Sequence, residues 1–194
     1  MFGGEKMIRP ARKEDAPEVI PILMQILNDM ELDAIKTYGA DQIADLLIAA
    51  FASDTYRYGY LQTLVYADDQ DRVQGICVGY PASAEVTIDD GLKPYLKEKH
   101  LPEDTQLFHD QEAWAKEWYL DSLAVAPDAQ GQGIGGQLLD YLPTYLQPKG
   151  ETKISLNVDF GNPKAKQLYL HHGFEHVGEI MIGAHHYEHL VRAI

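Results

Sequence analysis

The chain has 194 residues, 45% of them hydrophobic and 24% charged, with a formal net charge of −14. These values exclude a disordered chain and a nucleic-acid binder, which needs a basic face to displace counterions, and they fit one α/β domain with a sizeable core. The single cysteine, Cys77, excludes an internal disulfide and a cysteine-rich zinc site.

The opening "MFGGEKMIRP" lacks the apolar core of a signal peptide, and no apolar run approaches the ~20 residues of a membrane span, so a cytoplasmic protein is expected. A short strand to about Arg12 precedes a helix capped by Asp15, on which Val19, Ile20, Leu23, Ile26, Leu27 and Met30 form one face and Pro21 predicts a bend. A second helix spans about 41–52. "YLQTLVYADDQDRVQGICVGY" then reads as two strands joined by a polar turn at Asp68–Arg72, with Cys77 a buried thiol. Ahead of it, Tyr56, Tyr58 and Tyr60 recur at period two, as strand packing or a pocket wall.

Residues 84–113 are polar, carry two prolines and break this rhythm; they are expected to be an insert, either a lid or a surface decoration. "EWYLDSLAV" is a strand whose positions 119, 121, 123 and 125 share a face. After a glycine-rich loop, a helix runs from about Gly133 to Leu146, weakened by Pro143. "TKISLNVDF" alternates, with Ile154, Leu156, Val158 and Phe160 on one face and Ser155, Asn157 and Asp159 on the other. Asn162 as N-cap, Pro163 at the first position and Gly173 past the end delimit a last helix, and one or two strands close the chain. The expected order is β-α-α-β-β-insert-β-α-β-α-β-β in a single domain over residues 1–194.

The loop "PDAQGQGIGG" admits two readings. Gly131, Gly133 and Gly136 match the G-x-G-x-x-G turn of dinucleotide folds, with Asp159 as the ribose-binding acid. Five residues separate Val125 from Gly131, however, and too little chain follows Asp159 for the second half of such a fold. Gln130, Gly133 and Gly135 match Q-x-x-G-x-G instead. "YLDSLAVAPDAQGQGIGGQLLDYL" resembles the signature of the GNAT (GCN5-related N-acetyltransferase) superfamily. "NPKAKQLYLHHGFEHVGE" resembles that family's second pattern at Asn162, Ala165, Leu168, Tyr169, Gly173 and Phe174. The insert is the main departure.

The resemblance implies an α+β fold, a mixed and mostly antiparallel sheet flanked by helices, splayed after the strand that precedes the pyrophosphate loop. It implies acetyl-CoA as cosubstrate, no metal, and direct acetyl transfer to a primary amine of a small molecule or a protein. A non-catalytic acyl-CoA-binding module of the same fold is the alternative. A homodimer is a further family expectation. Carried over residue by residue, Gln130, Gly131, Gly133, Gly135 and Gly136 hold the pyrophosphate, chiefly through backbone N–H groups and the positive end of the following helix. Leu123 and Val125 pair with the pantetheine arm, and Asn157 and Asn162 add contacts to the coenzyme. Tyr169 protonates the departing sulfur. Asp121 is the expected general base, with Tyr119, Glu117 or a water as alternatives. Histidines 185, 186 and 189 of "HHYEH" lack helical metal-ligand spacing, so no zinc site is expected there.

Overall fold

These patterns resolve, in a computed structural model that describes residues 7–194, into one seven-stranded sheet covered by helices on both faces. The chain runs through β1 (Met7–Pro10), α1 (Ala16–Asp29), α2 (Asp33–Tyr38), α3 (Ala40–Ala50), β2 (Thr63–Ala67) and β3 (Val73–Pro81). It continues through α4 (Glu85–Ile88), α5 (Lys93–Glu98), β4 (Trp118–Val125), α6 (Ile134–Leu146), β5 (Lys153–Asp159), α7 (Pro163–His171), β6 (Glu175–Ile182) and β7 (His185–Ala193). The sheet order is β1-β2-β3-β4-β5-β7-β6, antiparallel throughout except for β4 beside β5.

That exception makes the cleft. β4 and β5 pair only at Trp118–Ile154 and Tyr119–Ser155, then diverge. The edge of β4 facing β5 is therefore unpaired beyond Tyr119, and the sheet splays into two halves.

One core packs α1, α3 and α5 on β2 and β3; the other packs α6 on β2 to β5, with Ile154, Leu156 and Val158 at its centre. Cys77 is buried in the second core. Phe160 departs from the expected face: the strand ends at Asp159, and the exposed Phe160 ring stacks on His186 at 4.4 Å.

Several expected boundaries shift. β1 stops at Pro10, α2 is an additional helix, and α1 and α6 continue across Pro21 and Pro143. Asp15 sits at the N-cap of α1, yet its carboxylate does not cap that helix. It accepts the Arg12 N–H at 2.7 Å and pairs with the Arg9 guanidinium, also at 2.7 Å. The period-two tyrosines precede a strand rather than form one: Tyr56 and Tyr58 lie in a bend and a turn, buried in the first core, and Tyr60 opens a single 3-10 turn ahead of β2.

Residues 84–113 are not a surface decoration. Leu92, Leu96, Leu101 and Leu107 are buried in the first core, so the segment is bound into the domain by the apolar surface it removes from water. The buried Glu85 carboxylate accepts the N–H groups of Glu112 (2.8 Å) and Ala113 (3.1 Å), which ties the two ends of the segment together. Among the described residues, no helix is long and apolar enough to cross a membrane.

Candidate active site

The loop after β4 turns through two glycines in the left-handed region, Gly131 (φ +77°) and Gly133 (φ +76°), where a β-carbon is costly. Gly133 is the N-cap of α6, so the N–H groups of that helix's first turn have no intrahelical acceptor and face outward with the positive end of the helix dipole. Gly131 and Gly135 line a groove of about 580 Å³ with Gln130, Leu123, Val125 and Lys164. Gln130 donates to the Val125 carbonyl at 3.3 Å, bracing the loop against the strand. Gly136 serves packing: a β-carbon there would lie 2.9 Å from the His172 imidazole, which meets Asp140 at 2.7 Å. Lys164 is the placed cation of the groove, at the start of α7; nothing in its sequence context sets it apart from other surface lysines.

A second cavity, of about 620 Å³, opens in the splay itself. Ile26, Asp29, Leu123, Ala165 and Tyr169 line both spaces, so Tyr169 stands where groove and cavity meet. Its ring packs edge-on against Phe174, and its hydroxyl makes no hydrogen bond among the described residues. Burial, with a smaller effect of Cys77, pushes its pKa up to about 12, so the phenol stays protonated at neutral pH. Asn162 also lines the cavity, and its side chain caps α7 by accepting the Ala165 N–H at 3.1 Å.

Asp121 lies in the cavity wall at a β-bulge: Val78 faces Ser122 and Gly79 faces Leu120, which leaves Asp121 without a partner on β3. The bulge corrects the expected alternation. Trp118 and Leu120 before it, and Leu123 and Val125 after it, side with the second core, whereas Ala124 packs on the first. Tyr119 and Leu123 thus belong to opposite faces of β4 and meet only where the cavity crosses the splay.

The Asp121 carboxylate is heavily engaged. Arg57 Nη1 donates to Oδ2 at 3.1 Å, the Tyr80 hydroxyl to the same oxygen at 3.0 Å, and Ser122 to Oδ1 at 2.9 Å. Arg57 is 1% exposed; it also pairs with Asp89 at 2.9 Å and lies 4.3 Å over the Phe108 ring. Burial opposes its charge, but the facing carboxylates of Asp121 and Asp89 hold the guanidinium protonated.

Tyr119 donates to Glu112 Oε2 at 2.6 Å, and Asn157 donates to the Tyr119 hydroxyl at 3.2 Å and to the Glu112 carbonyl at 3.0 Å. Asn157 lines the splay cavity rather than the groove, and its amide is committed to these contacts and to His189 at 2.6 Å. Glu117 lies behind this layer, bound to His189 Nε2 at 2.9 Å. The three histidines diverge: His189 is buried, His186 pairs with Glu179 at 2.9 Å, and His185 lines the cavity. Among the described residues no group of histidine, cysteine and carboxylate side chains is arranged to hold a metal.

A family model described as acetyltransferase (GNAT) family matches residues 27–174. A crystal structure described as an acetyltransferase is 42% identical, with a TM-score of 0.88, covering 97% of this chain and 99% of that one. An N-acetyltransferase from Staphylococcus aureus Mu50 is 30% identical, with a TM-score of 0.76 and coverages of 95% and 99%. The PaiA N-acetyltransferase from Thermoplasma acidophilum, solved in complex with coenzyme A, shares the fold at 13% identity and a TM-score of 0.57, covering 98% of this chain and 99% of that one. A search of curated proteins found no match.

Proposed function

The chain belongs to the acetyltransferase (GNAT) family, and on that premise we propose that it transfers an acetyl group from acetyl-CoA directly to a primary amine. The observation that carries the reading is the position of Tyr169 between two spaces of different chemistry. The groove offers backbone donors, a helix N-terminus and Lys164 to an anion; the splay cavity offers carboxylates and hydroxyls to a cation. The free edge of β4 beside Leu123 and Val125 suits an amide-bearing arm laid along it as an added strand.

In this mechanism the neutral amine attacks the thioester carbonyl carbon, a C–N bond forms and the C–S bond breaks. Tyr169 gives the departing sulfur a hydrogen bond and its proton. Of the two protons the ammonium group loses, one balances that taken by sulfur and one leaves to solvent. Asp121, surrounded by three donors, contributes fixed negative charge that attracts the incoming cation.

The test is release of free coenzyme A thiol from acetyl-CoA with a panel of primary amines (putrescine, tyramine, glycinamide), together with calorimetric binding of acetyl-CoA. Turnover with any of them supports the transferase. Tight binding without turnover of any amine favours the non-catalytic module.

A further inference from the structure

We propose that Glu112, delivered to the splay by the segment between β3 and β4, is the catalytic base that takes the proton from the acceptor's ammonium group; this rests on the transferase reading above. Glu112 is 6% exposed, yet it lines the splay cavity. It also lines an adjoining space of about 370 Å³, shared with Met30, Ile182, His185 and Tyr187, that extends away from Tyr169. An acceptor entering by that route meets Glu112 before it reaches the junction with the groove.

Three contacts fix the residue. Glu85 takes the N–H groups of Glu112 and Ala113, Asn157 donates to the Glu112 carbonyl, and Tyr119 holds Oε2 at 2.6 Å. Oε1 has no hydrogen-bond partner among the described residues, whereas both oxygens of Asp121 are taken by donors. Of the two enclosed carboxylates in the cavity wall, Glu112 and Asp121, Glu112 is therefore the one with a free lone pair, whereas Asp29 and Asp159 in the same lining are more open to water.

The surroundings set its basicity. Burial is the largest influence and favours the neutral acid; the charge of Asp121 acts in the same direction, and Glu85 adds a little. The Tyr119 hydrogen bond and Arg57 oppose them, while the hydroxyls of Tyr80 and Tyr187 face the group from β3 and β7. The net result is a carboxyl pushed up to about 7, where a base is both unprotonated often enough and strong enough to act at neutral pH.

The step balances. The ammonium N–H bond breaks and its proton forms a carboxylic acid on Oε1. The freed lone pair attacks the thioester carbon, the second nitrogen proton offsets the one taken by sulfur, and Glu112 returns its proton to water.

The experiment measures kcat and kcat/KM against pH for the full chain with acetyl-CoA and the amine panel above. The expected result is an acid limb near pH 7 in the unsubstituted protein. Glu112→Gln, which still accepts the Tyr119 hydrogen bond, should lower kcat by ~100-fold or more and abolish the limb, with acetyl-CoA affinity unchanged. Tyr119→Phe removes the hydrogen bond that favours the carboxylate and should move the limb to higher pH, a displacement that a merely structural role would not produce. A limb that persists at the same pH in Glu112→Gln, or a loss of less than ~3-fold, overturns the assignment.

A second readout does not need turnover. In protein carrying carbon-13 at glutamate carboxyls, one signal should titrate near pH 7 and be absent from Glu112→Gln. Titration of Glu112 in the ordinary range near ~4.3 overturns the proposal. Bound acetyl-CoA with no amine acetylated overturns the transferase reading and the base role with it, and this pattern is distinct from an active enzyme whose limb survives the substitution.

Discussion

Replacing Arg57 with methionine should destabilise the protein by ~3–5 kcal/mol, because it leaves Asp121 buried without its cation. The guanidinium and Asp121 side chains are 2% and 5% exposed, so water cannot take over the lost interaction. Asp89, the second partner, has a side chain 39% exposed, and losing its pair costs at most ~1 kcal/mol. Contact with the Phe108 ring is worth ~0.5–2 kcal/mol, part of which the methionine retains through its own apolar surface. The Asp121 penalty therefore dominates, against a total stability of ~5–15 kcal/mol for an ordinary domain. Urea unfolding at neutral pH measures it. Adding Asp121→Asn to Arg57→Met removes the orphaned charge and should restore at least half of the loss. A loss under ~1 kcal/mol, or a double variant no more stable than Arg57→Met alone, would refute the account of a buried ion pair that organises the cleft wall.

Gly133→Val puts a β-branched residue at φ +76°, a strain of ~1–2 kcal/mol, and should weaken acetyl-CoA binding ~10-fold or more by calorimetry; unchanged affinity removes the loop from coenzyme binding. Tyr169→Phe should lower kcat ~100-fold while leaving acetyl-CoA affinity intact, and full turnover in a rapid thiol-release assay rules out Tyr169 as the proton donor. Burial holds the His189 pKa below its ordinary value against the opposing pull of Glu117. The folded state then binds fewer protons than the unfolded chain, so this contribution is present above ~6.5 and is lost as pH falls below it, through the lower folded-state pKa. Thermal unfolding between pH 8 and 5 should show a shallower acid decline in His189→Gln than in the unsubstituted protein; equal slopes would exclude His189 from the acid response.

What the sequence made legible was local. The polar turn at Asp68–Arg72, the Asn162 cap with Pro163 and Gly173, and the alternation of Ile154, Leu156 and Val158 each follow from contacts within a few residues, and each is present in the fold. The two motif stretches carried the loop and Tyr169 because a family resemblance summarises contacts that periodicity does not encode. The bulge at Asp121 was illegible for a physical reason: one extra residue leaves the composition of a strand unchanged while reversing the direction of everything after it.

The segment 84–113 shows the deeper limit. Charges and prolines read as solvated surface, since an unpaired charge is rarely buried. Two of its charged residues, Glu85 and Glu112, are nonetheless buried, and the contacts that enclose this region reach across long stretches of chain: Arg57 with Asp121, 64 residues on, and Glu85 with the N–H of Glu112, 27 residues on. The one local signal was an arginine enclosed by aromatics in "TYRYGY", a setting that suits a stacked, ion-paired guanidinium better than a solvated one. Pairing on this scale couples the elements it joins. Glu85 fixes Glu112, Tyr119 links Glu112 to Asn157 on β5, and Asn157 links both to His189 on β7, so one hydrogen-bonded layer spans the gap where the backbone ladder stops. The splay remains open as a cleft because side chains, rather than strand pairing, hold its two halves at this level, and those same side chains present its polar face.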